Sequence, residues 1–201
     1  GGAARAALGM ALLDAWTRRA GMPLRTLFGG AGDRVVSDVT VTLGDASAAF
    51  AAARRIRALG VGVVKIKIGF TPREDAARVA AVAAAHPRAK LILDANQGYG
   101  PAQSLSLTRL LRARGIIPVL FEQPAEADDL PGMASFHRKS GIPVAADESL
   151  RGRADALKLA RSGAAQVLNI KLMKMGMLEA WDCALIARAC GLEIMVGGMV
   201  E

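Results

Sequence analysis

The stretch Val63-Val64-Lys65-Ile66-Lys67-Ile68 is a short, largely β-branched run, and a helical pattern over 72–85 and a second apolar run, Leu91-Ile92-Leu93-Asp94, follow it. Runs of this length and composition are typical of buried strands, whereas the segment between them has the periodicity of an amphipathic helix. Pro72 stands where a first helical turn tolerates proline. The stretch therefore predicts a strand–helix–strand unit with parallel strands.

The same unit repeats along most of the chain, with a period of about 26 residues between strand centres. The predicted strands are Val35–Leu43, Val63–Ile68, Leu91–Asp94, Pro118–Phe121, Pro143–Ala146, Gln166–Ile170 and Glu193–Val196. The predicted helices are 46–59, 72–85, 101–114, 126–139, 152–162 and 175–190, and a further amphipathic helix, Ala3–Ala20, precedes the first strand.

Two architectures produce such a repeat: an open, doubly wound sheet and a (β/α)₈ barrel. No G-x-G-x-x-G follows the first predicted strand and no P-loop occurs, which favours the barrel. The predicted fold class is α/β, a (β/α)₈ TIM-type barrel that is incomplete, with about seven strands. Eight units starting near residue 35 would need about 208 residues and would reach roughly residue 243, about 40 residues beyond this sequence. Because an unclosed barrel leaves two strand edges and one side of its core exposed, we expect the segment alone to be poorly folded and inactive.

Composition excludes several classes of protein. A chain of 201 residues with 52% hydrophobic and 22% charged residues is globular rather than disordered. Its net charge of +8 comes from scattered basic residues, mostly Arg, and aromatic residues make up only 4%, so we expect no nucleic-acid partner. No apolar run reaches about 18 residues, so we expect no membrane partner. Cys183 and Cys190 lie too far apart on one predicted helix to bridge, which fits a cytoplasmic location.

Three carboxylates end three consecutive predicted strands: Asp94, Glu122 and Asp147. Catalytic groups of a parallel barrel stand at the carboxyl ends of its strands, and neighbouring strands lie about 4.8 Å apart, so these three should share one patch. Three anions there are costly unless a cation neutralises them, and oxygen ligands suit Mg²⁺ rather than Zn²⁺. The alternative is that each carboxylate caps a loop or pairs with a lysine.

Lysines provide a second signal, because the chain has only seven and three of them, Lys65, Lys67 and Lys171, lie at strand ends. The side-chain alternation of a strand places Lys65 and Lys67 on the same face. Unlike Arg, a lysine can lose its proton near other positive charge, as a general base must. We expect Lys67 and Lys171 to face a substrate from opposite sides, and the alternative is simple salt bridging to the carboxylates.

Two bases that flank a carboxylate substrate bound to a metal favour one reaction class. One lysine removes the proton next to the carboxylate, the metal stabilises the resulting enolate, and the other lysine returns a proton to the opposite face. This is a 1,1-proton transfer, the chemistry of racemases and epimerases.

Five ordered strings resemble the enolase superfamily, muconate-lactonizing-enzyme subgroup: Lys65-Ile66-Lys67, Asp94-Ala95-Asn96, Glu122-Gln123-Pro124, Asp147-Glu148-Ser149 and Asn169-Ile170-Lys171. The resemblance covers nearly the whole chain. It implies one Mg²⁺ per site on Asp94, Glu122 and Asp147, with Mn²⁺ able to substitute. It also implies that Lys67 and Lys171 are the acid/base pair and that Lys65 supports them.

The resemblance implies a domain organisation as well. Residues 1–33 would be the linker helix region from an N-terminal capping domain, and residues 34–201 a partial enolase-type barrel domain. The capping domain itself would be absent from this sequence. The complete protein would be a homo-oligomer.

Within the subgroup, three strings look most like dipeptide epimerases of the L-Ala-D/L-Glu type: residues 38–42, 169–174 and 195–201. This implies a small carboxylate or dipeptide as substrate. Muconate-type cycloisomerases, o-succinylbenzoate synthases and N-acylamino-acid racemases share the scaffold and stay open as alternatives. A truncated, inactive fragment with only a binding role is the alternative from another class.

Several polar residues near these strings are expected to have lesser roles. Asn96 would order metal-bound water, Glu148 should point away from Asp147 and at most support the site, and Glu201 would reach the site from the seventh strand. His86 and His137 fall near helix ends, and we expect both on the surface.

Overall fold

The computed structural model describes residues 1–30, 32 and 34–199. These residues form two compact units, each described here by itself. The central unit comprises Ser37–Ser149 and Ser162–Gln166. The terminal unit comprises the described residues within Gly1–Val36, Leu150–Arg161 and Val167–Glu201.

The central unit is a parallel sheet whose strands alternate with helices. The five strands pair in chain order, each parallel to the next. They are β1 (Val39–Val41), β2 (Val63–Lys67), β3 (Lys90–Asp94), β4 (Leu120–Glu122) and β5 (Val144–Ala146). The helices between them are α3 (Ala46–Ala58), α4 (Pro72–Ala85), α5 (Pro101–Arg112) and α6 (Leu130–Ser140), and each packs against the next.

The terminal unit carries a parallel pair of strands, β6 (Val167–Ile170) and β7 (Glu193–Val196). Its helices are α1 (Gly2–Arg19), α2 (Leu24–Leu27), α7 (Arg153–Ser162), α8 (Leu172–Met175) and α9 (Met177–Ala189). Helix α1 packs against α8 so closely that a Cβ atom on Gly2 would collide with the carbonyl oxygen of Lys174.

The predicted strands and helices are all present, most within two residues of their predicted bounds, with three larger differences in extent. The first strand is only Val39–Val41, because its partner strand β2 begins at Val63 and the residues before the first strand have no strand beside them. Val35 and Val36 are accordingly 83% and 87% exposed. Helix α6 begins at Leu130 rather than 126, because Asp129 caps it through the amide of Gly132.

The third difference is a break in the predicted helix 175–190. Gly176 has a φ of 82°, which a helix does not accept, so the segment divides into α8 and α9. Helix α2, which begins after Pro23, was not predicted because four residues are too few to show a period.

The core of the central unit lies between the sheet and its helices. Fully buried Val64 and Ile66 on β2 and Leu93 on β3 belong to it, and Phe121 packs edge-on against Phe136 of α6 with ring centroids 4.8 Å apart. Helix α4 starts with a complete capping box, in which Thr71 and Glu74 bond each other's backbone amides. The sheet edge that bears the predicted site is thus backed by a well-packed helical layer.

Smaller expectations have mixed outcomes. Both cysteines are free thiols, as predicted. His86 is buried, with Nε2 2.9 Å from the carbonyl oxygen of Val61, so its expected surface position is wrong. His137 is half-buried against the carbonyl of Ile142.

Within the described ranges, no helix combines the length and the apolar character that crossing a membrane requires.

Burial in the core predicts a clear stability difference between two leucines. Leu107 on α5 is fully buried, and Leu59 at the end of α3 is 74% exposed. We expect Leu107→Ala to lower the free energy of unfolding by about 2–5 kcal/mol, because it leaves a cavity, and Leu59→Ala by less than about 0.5 kcal/mol. Urea denaturation of both variants of the complete protein measures the difference, and equal losses would contradict the assigned packing.

Candidate functional site

The site is built on a row of charged residues at the carboxyl edge of the central sheet. The strand register places Lys67 of β2 beside Asp94 of β3, and Asp94 beside Glu122 of β4. Glu122 in turn pairs with Ala145 of β5, so Asp147 stands two residues beyond this row. Asp94, Glu122 and Asp147 are 0%, 0% and 1% exposed. The predicted gathering of carboxylates at one edge is therefore observed.

Two lysines of β2 face these carboxylates, as the alternation of the strand predicts. The ammonium nitrogen of Lys65 lies 2.8 Å from Asp94 Oδ2 and 2.8 Å from Glu122 Oε2. The ammonium of Lys67 lies 2.7 Å from the same oxygen of Asp94. Asp94 thus accepts from both lysines, and Lys65 joins the carboxylates of two neighbouring strands.

Burial and charge shift the pKa values in this row. Burial lowers the pKa of Lys65, but the charges of Glu122 and Asp94 outweigh it, and the net pKa lies above the ordinary value. Burial raises the pKa of Asp94, yet the charges and hydrogen bonds of Lys65 and Lys67 bring it below the ordinary value. Burial and the negative charge of Asp94 raise the pKa of Glu122 to about 7, with Lys65 opposing and Asp147 adding to the rise.

These groups fit a hard divalent cation by the chemistry of their donors. Three buried carboxylates outnumber the two lysines beside them, and the pKa of Glu122 is raised by its burial first and by the neighbouring negative charges second. All-oxygen donors of this kind suit Mg²⁺. As the side chains stand, the ammonium groups face the carboxylate oxygens, and across the described ranges no three His, Cys, Asp or Glu side chains are arranged so that they could hold a metal ion.

Two of the three residues expected in lesser roles lie around Lys67. Asn96 is exposed, and its Oδ1 accepts a short hydrogen bond from the Lys67 ammonium while its Nδ2 donates to Glu148 Oε1 at 3.1 Å. Glu148 is therefore turned toward Asn96, on the rim of the site. Glu201, the third, lies outside the described residues.

Gln123 is a buried residue beside the site whose contacts the sequence did not reveal, although it belongs to a quoted string. It is fully buried and has a φ of 44°. Its Oε1 accepts from the backbone amides of Asp147 (3.1 Å) and Ser149 (3.2 Å), and its Nε2 donates to Ser149 Oγ (2.8 Å). Gln123 therefore joins the end of β4 to the end of β5 and fixes the backbone of Asp147.

In the terminal unit, Lys171 directly follows β6, as predicted, and precedes α8. Asn169, two residues earlier on the strand, is fully buried. A Cβ atom on Gly197, just past β7, would lie 3.0 Å from Cε of Lys171 and would collide with the Asn169 amide. Glycine at this position therefore leaves the room that the Lys171 side chain occupies.

A cavity of about 590 Å³ opens beside Lys67 in the central unit. It is bounded by the loops that follow β1, β2 and β3, and its lining is mostly apolar. The lining residues are Thr42, Leu43, Lys67, Ile68, Gly69, Ala95, Asn96 and Gly98. A small molecule in this cavity would therefore contact Lys67.

The position of Lys65 between two buried carboxylates predicts a large stability cost when its charge is removed. We expect Lys65→Met to lower the free energy of unfolding by about 3–5 kcal/mol, because Asp94 and Glu122 lose a shared buried counter-charge. Lys158→Met is the matched control: Lys158 is 68% exposed and should lose less than about 0.5 kcal/mol. Denaturation in the absence of divalent cations compares them, and similar losses would show that Lys65 does not compensate the carboxylates.

The chain resembles known dipeptide epimerases over almost its full length. It is 46% identical over 200 residues to the aromatic dipeptide epimerase of Herpetosiphon aurantiacus, covering 99% of this chain and 56% of that protein. It is 36% identical to the L-Ala-D/L-Glu epimerase of Thermotoga maritima, covering 98% of this chain and 57% of that protein. The chain therefore spans about half the length of the curated relatives that it matches.

A solved structure gives the same relationship in three dimensions. The dipeptide epimerase of Enterococcus faecalis V583, complexed with Mg and the dipeptide L-Leu-L-Tyr, superposes with a TM-score of 0.94 at 34% identity, covering 98% of this chain and 56% of that one. The predicted fold class, α/β of the (β/α)₈ type with about seven strands, is confirmed. The model of the family described as "Enolase C-terminal domain-like" matches residues 48–201. The chain belongs to this enolase C-terminal domain-like family.

Proposed function

We propose that the complete protein is a Mg²⁺-dependent epimerase that removes and returns the α-proton of a dipeptide by 1,1-proton transfer. One observation carries the proposal: Lys65 and Lys67 stand against two buried carboxylates at neighbouring strand ends. This arrangement combines a candidate base with groups that can hold a cation. The two similar proteins described above are named as an aromatic dipeptide epimerase and an L-Ala-D/L-Glu epimerase, which supports the same reaction.

In this proposal each lysine serves one face of the substrate. Lys67, beside the cavity, takes the α-proton from one epimer or returns it, while Asp94 and Asn96 hold its ammonium form. Lys171, at the end of β6, does the same for the other epimer. Lys65 favours the ionised forms of Asp94 and Glu122 and holds the two carboxylates in place. The substrate loses a proton to one lysine and gains one from the other, and proton exchange with water then returns both lysines to their starting forms, so atoms and charge balance over the cycle.

Asp94, Glu122 and Asp147 are the residues that would hold Mg²⁺, with Mn²⁺ as a substitute. When bound, the cation would stabilise the negative charge that develops on the substrate's carboxylate oxygens. Gln123 would serve this set indirectly, since it fixes the backbone of Asp147.

Among dipeptides, the cavity favours an apolar side chain over that of glutamate. Leu43, Ile68 and Ala95 line it, and Lys67 is its one cationic group in the described part of the chain. Lys67 is already assigned to proton transfer and would not be available to bind a second carboxylate. L-Ala-D/L-Glu specificity is therefore the second candidate.

Several wider properties belong to the same proposal. Residues 1–33 would form a linker helix region and residues 34–201 a barrel domain. The complete protein would be a homo-oligomer located in the cytoplasm. A cycloisomerase, an o-succinylbenzoate synthase, an N-acylamino-acid racemase and a fragment with only a binding role are the rivals that the following experiments separate.

The proposed cation site predicts Mg²⁺ binding that depends on Asp147. We expect calorimetric titration of the complete protein to detect Mg²⁺ binding and Asp147→Asn to weaken it by roughly tenfold or more, because a buried charged ligand becomes neutral. Asp182→Asn, at an aspartate whose side chain is 42% exposed, should bind as the wild type does. Absence of binding in the folded wild type would favour the binding-only fragment.

The two-base proposal predicts loss of exchange that is specific to one epimer. In D₂O the complete protein should wash deuterium into the α-position of both epimers of a dipeptide, measured by mass increase or loss of the α-proton NMR signal. Lys67→Ala should block exchange of one epimer and Lys171→Ala that of the other, because each lysine reaches one face. Lys158→Ala should change neither rate.

The same assay tests the substrate class. A library of Ala-Xaa dipeptides with apolar and acidic second residues identifies the preferred side chain. If Lys171→Ala exchanges both epimers at the wild-type rate, the two-base assignment is wrong. If no dipeptide exchanges while an N-acylamino acid, a muconate-type substrate or an o-succinylbenzoate precursor reacts, the corresponding rival replaces the epimerase.

A further inference from the structure

Behind the proposed site lies a buried polar cluster that the chemistry above does not use. Asp75 and Arg78 of α4 and Tyr99 of the loop after β3 are 0%, 2% and 1% exposed. Arg78 Nη1 lies 2.7 Å from Asp75 Oδ1, and the Tyr99 hydroxyl donates to Asp75 Oδ2 at 2.6 Å. We call these three residues the Asp75 network. Burying an ion pair is costly unless its remaining hydrogen-bonding capacity is used.

The guanidinium of the network is bonded to the ends of two strands. Arg78 Nη1 donates to the backbone carbonyl of Lys67 at 2.7 Å, and Nη2 donates to that of Thr42 at 2.8 Å. Lys67 is the last residue of β2, and Thr42 directly follows β1. A single planar side chain therefore holds the backbone of the proposed base.

The Asp75 carboxylate of the network holds the loop that follows β2. Asp75 Oδ2 accepts from the backbone amides of Gly69 (2.9 Å) and Phe70 (3.0 Å), and the Arg78 guanidinium lies 5.5 Å from the centre of the Phe70 ring. Gly69 has a φ of 151°, which L side chains rarely adopt. Residues 67–70 are thus bound to α4 at one carbonyl, two amides and one aromatic ring.

Lys67 needs such an anchor more than its neighbour does. Its side chain is 29% exposed, against 11% for Lys65, and its ammonium meets Asp94 and Asn96 at the open edge of the site. A flexible four-carbon stem reaches a fixed point only if the backbone that bears it is fixed. Helix α4 does not need the network to form, because Thr71 and Glu74 cap it and Val79 and Val82 bury its apolar face.

We propose that the Asp75 network positions Lys67 for proton transfer, so that it sets the rate on one face of the substrate and leaves the other face unaffected. The inference rests on the proposed function. It assigns Asp75, Arg78 and Tyr99 as positioning residues, since they act through Lys67 and touch no reacting atom. A network that merely stabilised the fold would affect both epimers alike.

The test uses the complete protein and the exchange of each epimer in D₂O. Tyr99→Phe removes one hydroxyl and keeps the ring, and Arg78→Lys keeps the charge but not the fork that spans the two carbonyls. We expect both variants to slow exchange of the epimer that Lys67→Ala blocks by roughly 10- to 100-fold, since a misplacement of about 1 Å can cost that much. Exchange of the other epimer should stay within about twofold of wild type.

Thr71→Ala is the control for destabilisation of the same helix, because it breaks the capping box without touching the Asp75 network. It should lower the melting temperature and leave the ratio of the two exchange rates unchanged. Equal slowing of both epimers in Tyr99→Phe, or no slowing in either variant, would overturn the inference.

A second measurement does not depend on activity. Acetic anhydride labelling of Lys67, quantified by mass spectrometry, should rise several-fold in Tyr99→Phe and stay unchanged in Thr71→Ala, because only the former removes a bond of the Asp75 network, through which Arg78 holds the Lys67 backbone. If Lys67→Ala and Lys171→Ala show no preference for an epimer, the proposed function fails. The labelling result then decides alone: an unchanged rate in Tyr99→Phe overturns the positioning of Lys67, and a raised rate upholds it.

Discussion

The shared ammonium of Lys65 is the interaction on which the site depends. Asp94 and Glu122 occupy the same register position on adjacent strands, and both are fully buried, so their charges would repel strongly without a cation between them. Lys65 reaches both carboxylates because it pairs with Ile92 in the parallel register of β2 and β3, two residues before Asp94. The strand register thus brings Lys65 to both carboxylates, and the alternation of β2 places Lys67 on the same face.

Backbone strain is concentrated where these strands end. Three non-glycine residues of the described ranges have a positive φ: Asn96, Gln97 and Gln123. All three come within three residues of Asp94 or Glu122, and Asn96 and Gln123 use their side chains to bond Lys67 or the backbone of β5's end. Such conformations persist only when the surroundings hold them. Here the positive φ angles turn the chain sharply at the ends of β3 and β4, and they direct the side chains of Asn96 and Gln123 toward the site.

The repeat and the row of charges could be predicted because both are local patterns. The period located every strand, and the alternation of β2 correctly placed Lys65 and Lys67 on one face. The remaining features of the site depend on tertiary contacts, which a local sequence pattern does not reveal. Asp75 and Arg78 lie in a helical pattern where charge usually indicates a solvated face, yet both are buried. The part played by Gln123 depends on a left-handed backbone and on two amides of the loop that follows β5.

An apolar cluster in place of the Asp75 network would pack at least as well and would avoid the desolvation of an ion pair. It could not, however, bond the backbone groups that a parallel sheet leaves without partners where its strands become loops. The carbonyls of Thr42 and Lys67 and the amides of Gly69 and Phe70 are four such groups, and the network satisfies all of them. Because both charged members sit on α4, the same bonds make the helix a fixed reference for the lysine at the end of β2.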